Sequence, residues 1–506
     1  MSNKSTTANA SAQHATETFL GDAAPFTAAE IMQGVGKEIE RLETIYKPIP
    51  HDEVLEKLLV QIPEVSFIEA AELKDTDKLT RKHFHVLAVQ TILETAQKNH
   101  WGLCRGNDFV YLFNGSFWKV LEKETLLSFM GEAAERMSID KFDSRHYKFR
   151  DELLKQFLSV ANLPKPTPPK GVVLMNFQNG TLEIGKGKQV LRHPSQNDFL
   201  TYQLPYAYDP TATAPLFQKF LHRVQPDEKC RTILAEYLAY VFVKTSTLKL
   251  EKVLLLYGTG ANGKSVFFDV SKAIFGEENV SSYSLQSLTD SSGYYRSLLG
   301  KVLLNYASEI NGRLETQYFK ALASGEDLEA RQPYGLPFVL RDYAKLIFNC
   351  NELPGEVEHT HAYFRRFLII PFSETIPDAE QDKELSRKII EAELPGIFNW
   401  VLDGLNRLLA QKRFTESDAA ARQLEDFKRL SDNVRCFIED ESFAPSNEKK
   451  RPLKELYGLF RDYCRDNGAM PCALRKFAER LRHLGFTTKK ENIGQVVFVE
   501  CGEFKG

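Results

Sequence analysis

The stretch Leu254-Leu255-Leu256-Tyr257-Gly258-Thr259-Gly260-Ala261-Asn262-Gly263-Lys264-Ser265 joins a short apolar run to the pattern G-x-x-x-x-G-K-[ST]. The run predicts a buried strand, and the apolar spacing that follows predicts a helix ending at Gly276. Glycines let backbone N–H groups approach phosphate oxygens, which Lys264 can also reach, while a Ser265 hydroxyl suits Mg²⁺. A glycine-rich turn that matches by accident is the alternative. The flanking strand and helix favour a nucleotide-phosphate site.

The composition is that of a large globular protein. Its 506 residues, 43% hydrophobic and 26% charged, predict about three domains. A formal net charge of −3 excludes a basic field over the whole molecule, so any nucleic-acid contact must be local. The seven cysteines form no C-x-x-C pair, and no apolar run reaches the length of a membrane span. We therefore expect a cytoplasmic protein, in a bacterium or in a host cell, with no membrane partner.

The first hundred residues predict a tail followed by a small helical module. Residues 1–25 begin with a Ser-, Thr-, Asn- and Ala-rich segment without arginine, which favours a disordered tail over a transit peptide. Within 26–100, apolar residues at helical spacing predict helices over Ala28–Tyr46, Val54–Ile62 and about 80–98. Such stripes are typical of core or partner-helix surfaces.

Residues 101–245 mix predicted strands and helices. Phe109–Val120 predicts a β-hairpin with a glycine turn, and Val172–Ile184 predicts a second one. A proline cluster at 164–169 separates the helical pattern before it from the second hairpin. Helical patterns return from about 214 to 243 and lead into the phosphate-loop strand. We assign this region to one domain.

Polar residues follow the predicted strands beyond the phosphate loop. One strand ends on Glu309, and the next is followed by Asn351. A carboxylate there can hold Mg²⁺ through water and orient the attacking water, and an amide can contact the γ-phosphate. Arg365-Arg366 precedes a further apolar run, and a guanidinium suits a transferring phosphoryl group. An exposed glutamate, a turn asparagine and solvated arginines are the alternatives from spacing alone.

Together these motifs resemble those of superfamily 3 helicases, as found in phage and plasmid primase-helicases, relatives of the poxvirus helicase-primase. The resemblance implies an α/β fold with an AAA+-like P-loop NTPase core over 246–405. An α+β region would precede the core, and a helical linker over 406–441 would follow it. The matching segments are Gly258–Ser265, Ala307-Ser308-Glu309, Gly325-Glu326-Asp327 with Ala330-Arg331, Asn351-Glu352-Leu353-Pro354, and Arg365-Arg366 before Ile369-Ile370-Pro371-Phe372.

The resemblance also implies cofactors and catalytic residues. ATP and Mg²⁺ are the expected cofactors, with Lys264 on the phosphates and Ser265 on the metal. Glu309 would be the catalytic acid, also facing the metal, and Asn351 the sensor of the γ-phosphate. Initiator helicases of this kind often carry two adjacent acids, whereas this chain has Ser308 before Glu309.

An arginine finger is implied at the Arg365-Arg366 pair. Arg366 is preferred because its offset from Phe372 fits the family, and Arg365 is the alternative. In this family the finger acts in trans on the ATP of a neighbouring subunit.

A hairpin between Glu309 and Asn351 is implied to contact single-stranded DNA in the pore of a ring. Residues 328–341 fit two strands around a Gly-Pro turn. Arg331 would contact phosphate and Tyr334 would stack on a base, with Gln332 between them as a further contact. A purely structural hairpin is the alternative.

The last segment, 442–506, predicts a winged-helix-like DNA-binding domain. Two helical patterns precede two short apolar strands, and basic residues are concentrated here. Arg475, Lys476 and Lys489 are the candidate DNA contacts. A winged helix that docks protein is the alternative.

The function that these predictions favour is an ATP-dependent, ring-forming DNA helicase for replication of a phage, plasmid or other mobile element. The expected partners are single-stranded DNA, duplex DNA at the C-terminal domain, other copies of the chain in a hexameric ring, and replication proteins. Two alternatives stay open: a nucleotide-switched initiator or loader without processive unwinding, and the helicase part of a primase-helicase.

Overall fold

The computed structural model describes residues 48–501 apart from 75–76, 107–108, 162–170, 186, 309, 311–314, 334, 354–357 and 493. The chain divides into two compact units, Met1–Pro164 and Lys165–Gly506. The predicted disordered tail, the predicted helix over Ala28–Tyr46 and the proline cluster lie outside the described residues.

The first unit packs helices around one antiparallel sheet. The predicted hairpin is confirmed: Asn114 Oδ1 accepts from the backbone N–H groups of Ser116 and Phe117, both at 3.0 Å, while Gly115 has φ +98°. The helices share a core with residues of this sheet, so the predicted boundary at 100/101 lies inside that core. The elements are α1 (His51–Gln61), α2 (Phe67–Ala70), α3 (Arg81–Lys98), β1 (Gly102–Gly106), β2 (Phe109–Phe113), β3 (Trp118–Leu121), α4 (Lys123–Arg136), α5 (Lys141–Arg145) and α6 (Tyr147–Val160).

The second unit begins with a three-stranded antiparallel sheet and two helices that share a core with the phosphate-loop region. Tyr206 Oη donates to the carbonyl of Ile274 at 2.9 Å, and Tyr237 Oη donates to that of Leu346 at 2.7 Å. These long-range contacts place the predicted boundary at 245/246 inside one continuous core. The elements are β4 (Val173–Phe177), β5 (Gly180–Gly185), β6 (Lys188–Arg192), α7 (Pro215–Val224) and α8 (Glu228–Tyr240).

A five-stranded parallel sheet forms the centre of the second unit, in the order β13-β7-β12-β9-β8. Strand β12 therefore separates β7 from β9, and the carboxyl ends of these three strands meet at one edge. The near-continuous apolar sequence of β7 fits a strand buried on both faces. The elements are β7 (Val253–Tyr257), α9 (Lys264–Phe275), β8 (Val280–Ser281), α10 (Leu285–Thr289), α11 (Tyr294–Leu298), β9 (Leu304–Ala307), α12 (Thr316–Ser324), β10 (Leu328–Arg331), β11 (Pro337–Leu340), β12 (Lys345–Cys350), α13 (His361–Phe364) and β13 (Phe367–Pro371).

The long helix α14 (Leu385–Gln411) packs on α8 and carries Pro395 inside it. A Cβ added at Gly396 would lie 2.2 Å from the carbonyl carbon of Thr213, and one at Gly404 would lie 2.5 Å from that of Ala235. Glycine at both positions therefore lets the helix approach the neighbouring backbone closely. The predicted boundary at 405/406 falls within this helix.

The C-terminal part of the second unit has its own core and a three-stranded antiparallel sheet in the order β14-β16-β15. Both predicted helices and both predicted strands are present, and β14 is an additional strand. Phe460 and Phe477 stack with ring centroids 4.8 Å apart in this core. Helix α15 (Asp418–Ser431) packs on β13 and precedes this part. The elements that follow it are α16 (Asn433–Asp440), β14 (Phe443–Pro452), α17 (Leu453–Asp466), α18 (Leu474–His483), β15 (Thr488–Glu491) and β16 (Gly494–Cys501).

Candidate functional site

The glycine-rich loop connects the end of β7 to the start of α9, as the sequence predicts. A Cβ added at Gly258 would lie 2.3 Å from the carbonyl oxygen of Phe372, so this position excludes any side chain. Gly263 has φ +80° and starts the helix, whereas the Cβ position of Gly260 has no heavy atom within 4 Å. The loop is thus tightly packed at its ends and open in its middle, where a ligand can approach its backbone.

Contacts within the chain fix the shape of this loop. The Gly258 N–H donates to the carbonyl of Cys350 at 3.1 Å, at the end of β12. Asn262 Nδ2 donates to the carbonyl of Phe372 at 2.9 Å, and the Ile376 N–H donates to that of Ala261 at 2.8 Å. The segment after β13 therefore holds the loop from one side and β12 holds it from another.

Lys264 is the buried cation of the loop, with 6% of its surface exposed. Its Nζ donates to the carbonyl of Gly258 at 2.5 Å and to Asn262 Oδ1 at 3.1 Å. Burial lowers the pKa of Lys264 from its ordinary value. Both partners are neutral, so a phosphate anion at the loop would favour the charged form of this side chain.

One predicted polar residue, Asn351, lies at the same end of the parallel strands as the loop. Cys350 pairs with Tyr257, which places the exposed Asn351 beside the start of the loop. Asn349, by contrast, is buried and accepts a hydrogen bond from Tyr306 Oη at 2.9 Å. Strand β9 ends next to β12. Glu309 lies outside the described residues, so its catalytic role stays a prediction.

The arginine pair lies at the amino ends of the parallel strands, opposite the end that carries the phosphate loop. Phe367 pairs with Val253, the first residue of β7, so Arg365 and Arg366 stand before the amino end of β13. The five residues of β7 span about 13 Å at ~3.3 Å per residue, beyond the reach of an arginine side chain. Neither guanidinium can therefore contact the phosphate loop of its own chain.

The two arginines differ in accessibility. Arg366 is 7% exposed, and its guanidinium donates to Ser324 Oγ at 3.0 and 3.2 Å and to the carbonyls of Lys320 and Ala362. The Arg365 side chain is 43% exposed, and its Nη2 lies 2.5 Å from Glu251 Oε2. This placement reverses the sequence-based preference: Arg366 is committed to its own chain, and Arg365 is the arginine that can face a neighbour.

The predicted hairpin is confirmed as the antiparallel pair β10 and β11. Leu336 at its turn is 87% exposed. Arg331 Nη2 donates to Tyr294 Oη at 2.9 Å, and its guanidinium lies 5.4 Å from the centroid of that ring. Gln332 is half-buried, and Tyr334 lies outside the described residues.

The three candidate DNA contacts of the C-terminal part are all exposed. Arg475 and Lys476 lie on α18, and Lys489 lies on β15. Arg480, on the same helix, instead forms an ion pair with Asp432 at 3.2 Å.

The chain is similar to two family models and to several viral proteins. A model described as D5 N terminal like matches residues 87–226, and a model described as a family of unknown function, DUF5906, matches residues 256–366. A protein of Acanthamoeba polyphaga mimivirus named as an inferred helicase, L207/L206, is 25% identical over 260 residues, 47% of this chain and 26% of the relative. Another inferred helicase, 121R of Invertebrate iridescent virus 3, is 24% identical over 331 residues, 58% of this chain and 35% of that protein.

These matches support a relationship to phage and viral primase-helicases. It spans between a quarter and about a third of the length of the two viral relatives. Two solved structures of the NrS-1 C-terminal region in the apo state are 14% and 13% identical, with TM-scores of 0.44 and 0.45. They cover 81% and 83% of this chain, which in turn covers 98% and 99% of theirs. None of the helices that the structure describes is long and apolar enough to cross a membrane.

Sequence reasoning missed the residues that hold the arginine pair. Lys252 is half-buried, and its Nζ donates to the carbonyl of Arg365 at 2.6 Å. Glu251, the ion-pair partner of Arg365, has φ +55°. Both residues directly precede β7, a position that could have drawn attention to them. Their pairing with a segment more than a hundred residues later has no sequence signal.

Proposed function

We propose that the chain is an ATP-dependent DNA helicase of superfamily 3 with an AAA+-like core. The observation that carries this proposal is the sheet order β13-β7-β12-β9-β8, with the glycine-rich loop at one edge and an arginine pair at the other. In this arrangement the strand that precedes Asn351 lies between the phosphate-loop strand and the strand that precedes Glu309. The similarity to viral helicases supports a role in replication.

The loop residues Gly258–Ser265 would bind the phosphates of ATP. Backbone N–H groups at the start of α9 and the Lys264 ammonium suit the β- and γ-phosphates. Ser265 is exposed in the first turn of α9, as a metal-facing hydroxyl requires. With Glu309 it would hold Mg²⁺, which neutralises phosphate charge when bound. Glu309 would orient the attacking water, and Asn351 would contact the γ-phosphate.

The hairpin β10–β11 and the C-terminal part would contact DNA. Arg331 and Gln332 lie on or just after β10, and with Tyr334 they would follow a single strand without reading its sequence. The helices α17 and α18 with the sheet β14-β16-β15 would form a winged-helix-like domain. Its exposed Arg475, Lys476 and Lys489 would neutralise phosphates of duplex DNA.

Assembly would complete the catalytic site. Because the loop and the arginine pair lie at opposite edges of one sheet, a head-to-tail arrangement can bring Arg365 of one copy to the loop of the next. Heterologous contacts of this kind close into rings, and we propose a hexamer. Arg365 would then exchange Glu251 for the phosphoryl group of the neighbour's ATP.

The Lys264→Ala variant tests the nucleotide site. It removes the cation from the loop, so we expect ATP hydrolysis to fall by at least about a hundredfold, as for loss of one preorganised charge-stabilising group. The measurement is steady-state phosphate release, with circular dichroism to establish that the variant folds. Lys272→Ala, on the same helix, is the matched control because Lys272 only lies over the Phe268 ring at 5.6 Å.

Near-normal turnover by folded Lys264→Ala would contradict the proposed site. A strand-displacement assay on the unsubstituted chain then separates the helicase from the alternative. Hydrolysis with DNA binding and no displacement would instead indicate a nucleotide-switched initiator or loader.

A further inference from the structure

A buried arginine lies beneath the hairpin and belongs to none of the predicted site residues. Arg296, on α11, is 2% exposed and is among the largest fully buried side chains of the described chain. Burial lowers the pKa of its guanidinium. A desolvated cation is costly unless its donors are satisfied, so its partners define what it does.

The partners of Arg296 come from three separate segments. Its Nε donates to the carbonyl of Glu329 on β10 at 3.3 Å. Its Nη1 donates to the carbonyls of Leu288, at 3.1 Å, and Asp290. The face of the guanidinium lies 4.0 Å from the ring centroid of Tyr318 on α12. One side chain thus connects the first hairpin strand, the loop after α10 and helix α12.

A second set of contacts joins the same loop to the hairpin. The Arg331 N–H donates to the carbonyl of Gly293 at 3.4 Å, and the Arg331 guanidinium donates to Tyr294 Oη. Gly293 has φ +74°, and a Cβ there would lie 3.1 Å from Arg296 Nη2 and 3.5 Å from the Cα of Ala330. The hairpin strand is therefore held at residue 329 and again at residue 331.

Helix α12 connects this contact to the arginine pair. Arg366 binds the carboxyl-terminal end of α12 through Ser324 and Lys320, while Tyr318 lies nearer its start. The hairpin follows α12 directly, after Gly325 at φ +63°. A displacement of α12 would therefore move β10 in two ways. The covalent chain connects the two elements through residues 325–327, and Arg296 contacts both of them.

We propose that Arg296 is a positioning residue that locks the hairpin to helix α12, so that the hairpin moves with this helix when nucleotide turns over. Arg296 donates from several guanidinium N–H groups and stacks its flat face on Tyr318. A lysine ammonium has no flat face and cannot make both kinds of contact. The inference rests on the proposed function, because it assumes that the hairpin contacts DNA.

The experiment compares Arg296→Lys and Tyr318→Leu with the unsubstituted full-length chain. Each variant removes the stacked contact and keeps the phosphate loop intact. We expect basal ATP hydrolysis within about twofold of normal and a loss of about tenfold in DNA-stimulated hydrolysis, the scale of coupling carried by contiguous contacts. Arg341→Lys is the control, since Arg341 is a hairpin-end arginine whose side chain is 59% exposed and paired with Asp327.

The melting temperature and the DNA concentration that gives half-maximal stimulation are measured for each variant. Equal loss of basal and stimulated hydrolysis, with a lowered melting temperature, would show that Arg296 only stabilises the fold and would overturn the inference. If Arg296→Lys does not fold, Tyr318→Leu decides by the same criterion. Absence of any DNA stimulation in the unsubstituted chain would overturn both this inference and the proposed function.

Discussion

Lys345 is a half-buried cation at the start of β12. It lies at the end of the parallel strands opposite the phosphate loop. Its Nζ lies 4.4 Å from the centroid of the Tyr240 ring. Burial lowers its pKa to about 8, and the nearby Asp342 opposes this shift. The folded chain therefore binds the Lys345 proton less tightly than the unfolded chain does.

The Lys345→Met variant tests this shift. At pH 7 the lysine is charged in both states and the buried charge is unfavourable, so removing it should raise the free energy of unfolding by up to about 3 kcal/mol. The folded chain loses the proton near pH 8 and the unfolded chain near 10.5, so the gain should shrink as pH rises between these values. Urea denaturation at pH 7 and pH 10 measures the difference.

An exposed lysine provides the control for that experiment. Lys490→Met on β15 should leave the free energy of unfolding nearly unchanged at both pH values. A gain from Lys345→Met that is the same at pH 7 and pH 10 would contradict a lowered pKa.

At the residue level, the sequence could predict only roles that depend on neighbours in the chain. Gly258 and Lys264 belong to one eight-residue motif, and their geometry follows from it. Arg366 is satisfied by Ser324, 42 residues earlier, and Arg296 contacts Glu329, 33 residues later. No local pattern distinguishes such arginines from exposed ones, so the sequence favours Arg366 over the more exposed Arg365 and does not single out Arg296.

Helix α14 shows why domain boundaries are harder to predict from the sequence than single helices and strands. Pro395 is an unfavourable residue inside a helix, yet α14 continues through it. Nearby, Glu393 accepts from the backbone N–H groups of Leu216 and Phe217 at 2.9 and 2.8 Å, at the start of α7. Hairpins and single helices followed from local periodicity, whereas the strand order and the shared core depend on these long-range contacts.

Substitutions at two helical glycines should have opposite effects on stability. A Cβ at Gly404 of α14 would lie 2.5 Å from the backbone of Ala235, so Gly404→Ala should destabilise the fold by about 1–3 kcal/mol. Gly458 lies inside α17, where an added Cβ has no heavy atom within 4 Å. Gly458→Ala should therefore stabilise by about 0.5–1 kcal/mol, because alanine favours the helix.

Melting curves of both glycine variants, measured under identical conditions, provide the comparison. A Gly404→Ala chain as stable as the unsubstituted one would mean that α14 and α8 can separate without cost. Their close packing would then not hold the domain together.

At the scale of the whole molecule, two inactive variants should complement each other. Under the proposed trans mechanism, Lys264→Ala lacks a loop cation and Arg365→Ala lacks a finger, so each alone should hydrolyse ATP poorly. When they are mixed before assembly, an intact loop can face an intact Arg365 at roughly one in four interfaces. Phosphate release from the mixture should exceed that of either variant at the same total concentration.

Arg366→Ala separates the two arginines in the same experiment. Because Arg366 holds the end of α12 within its own chain, its loss should lower the melting temperature, whereas loss of the exposed Arg365 should not. Mixed assemblies shown to contain both chains, yet no more active than the single variants, would count against Arg365 as a trans residue.

Under the proposed trans mechanism, the pairing of Phe367 with Val253 would also make turnover a collective property. If the two halves of a site lie at opposite edges of one sheet, an isolated copy would bind nucleotide and leave it intact. Turnover per chain would then rise with protein concentration and collapse on dilution, although every copy remained folded. The concentration of the protein would thus control its rate of ATP hydrolysis.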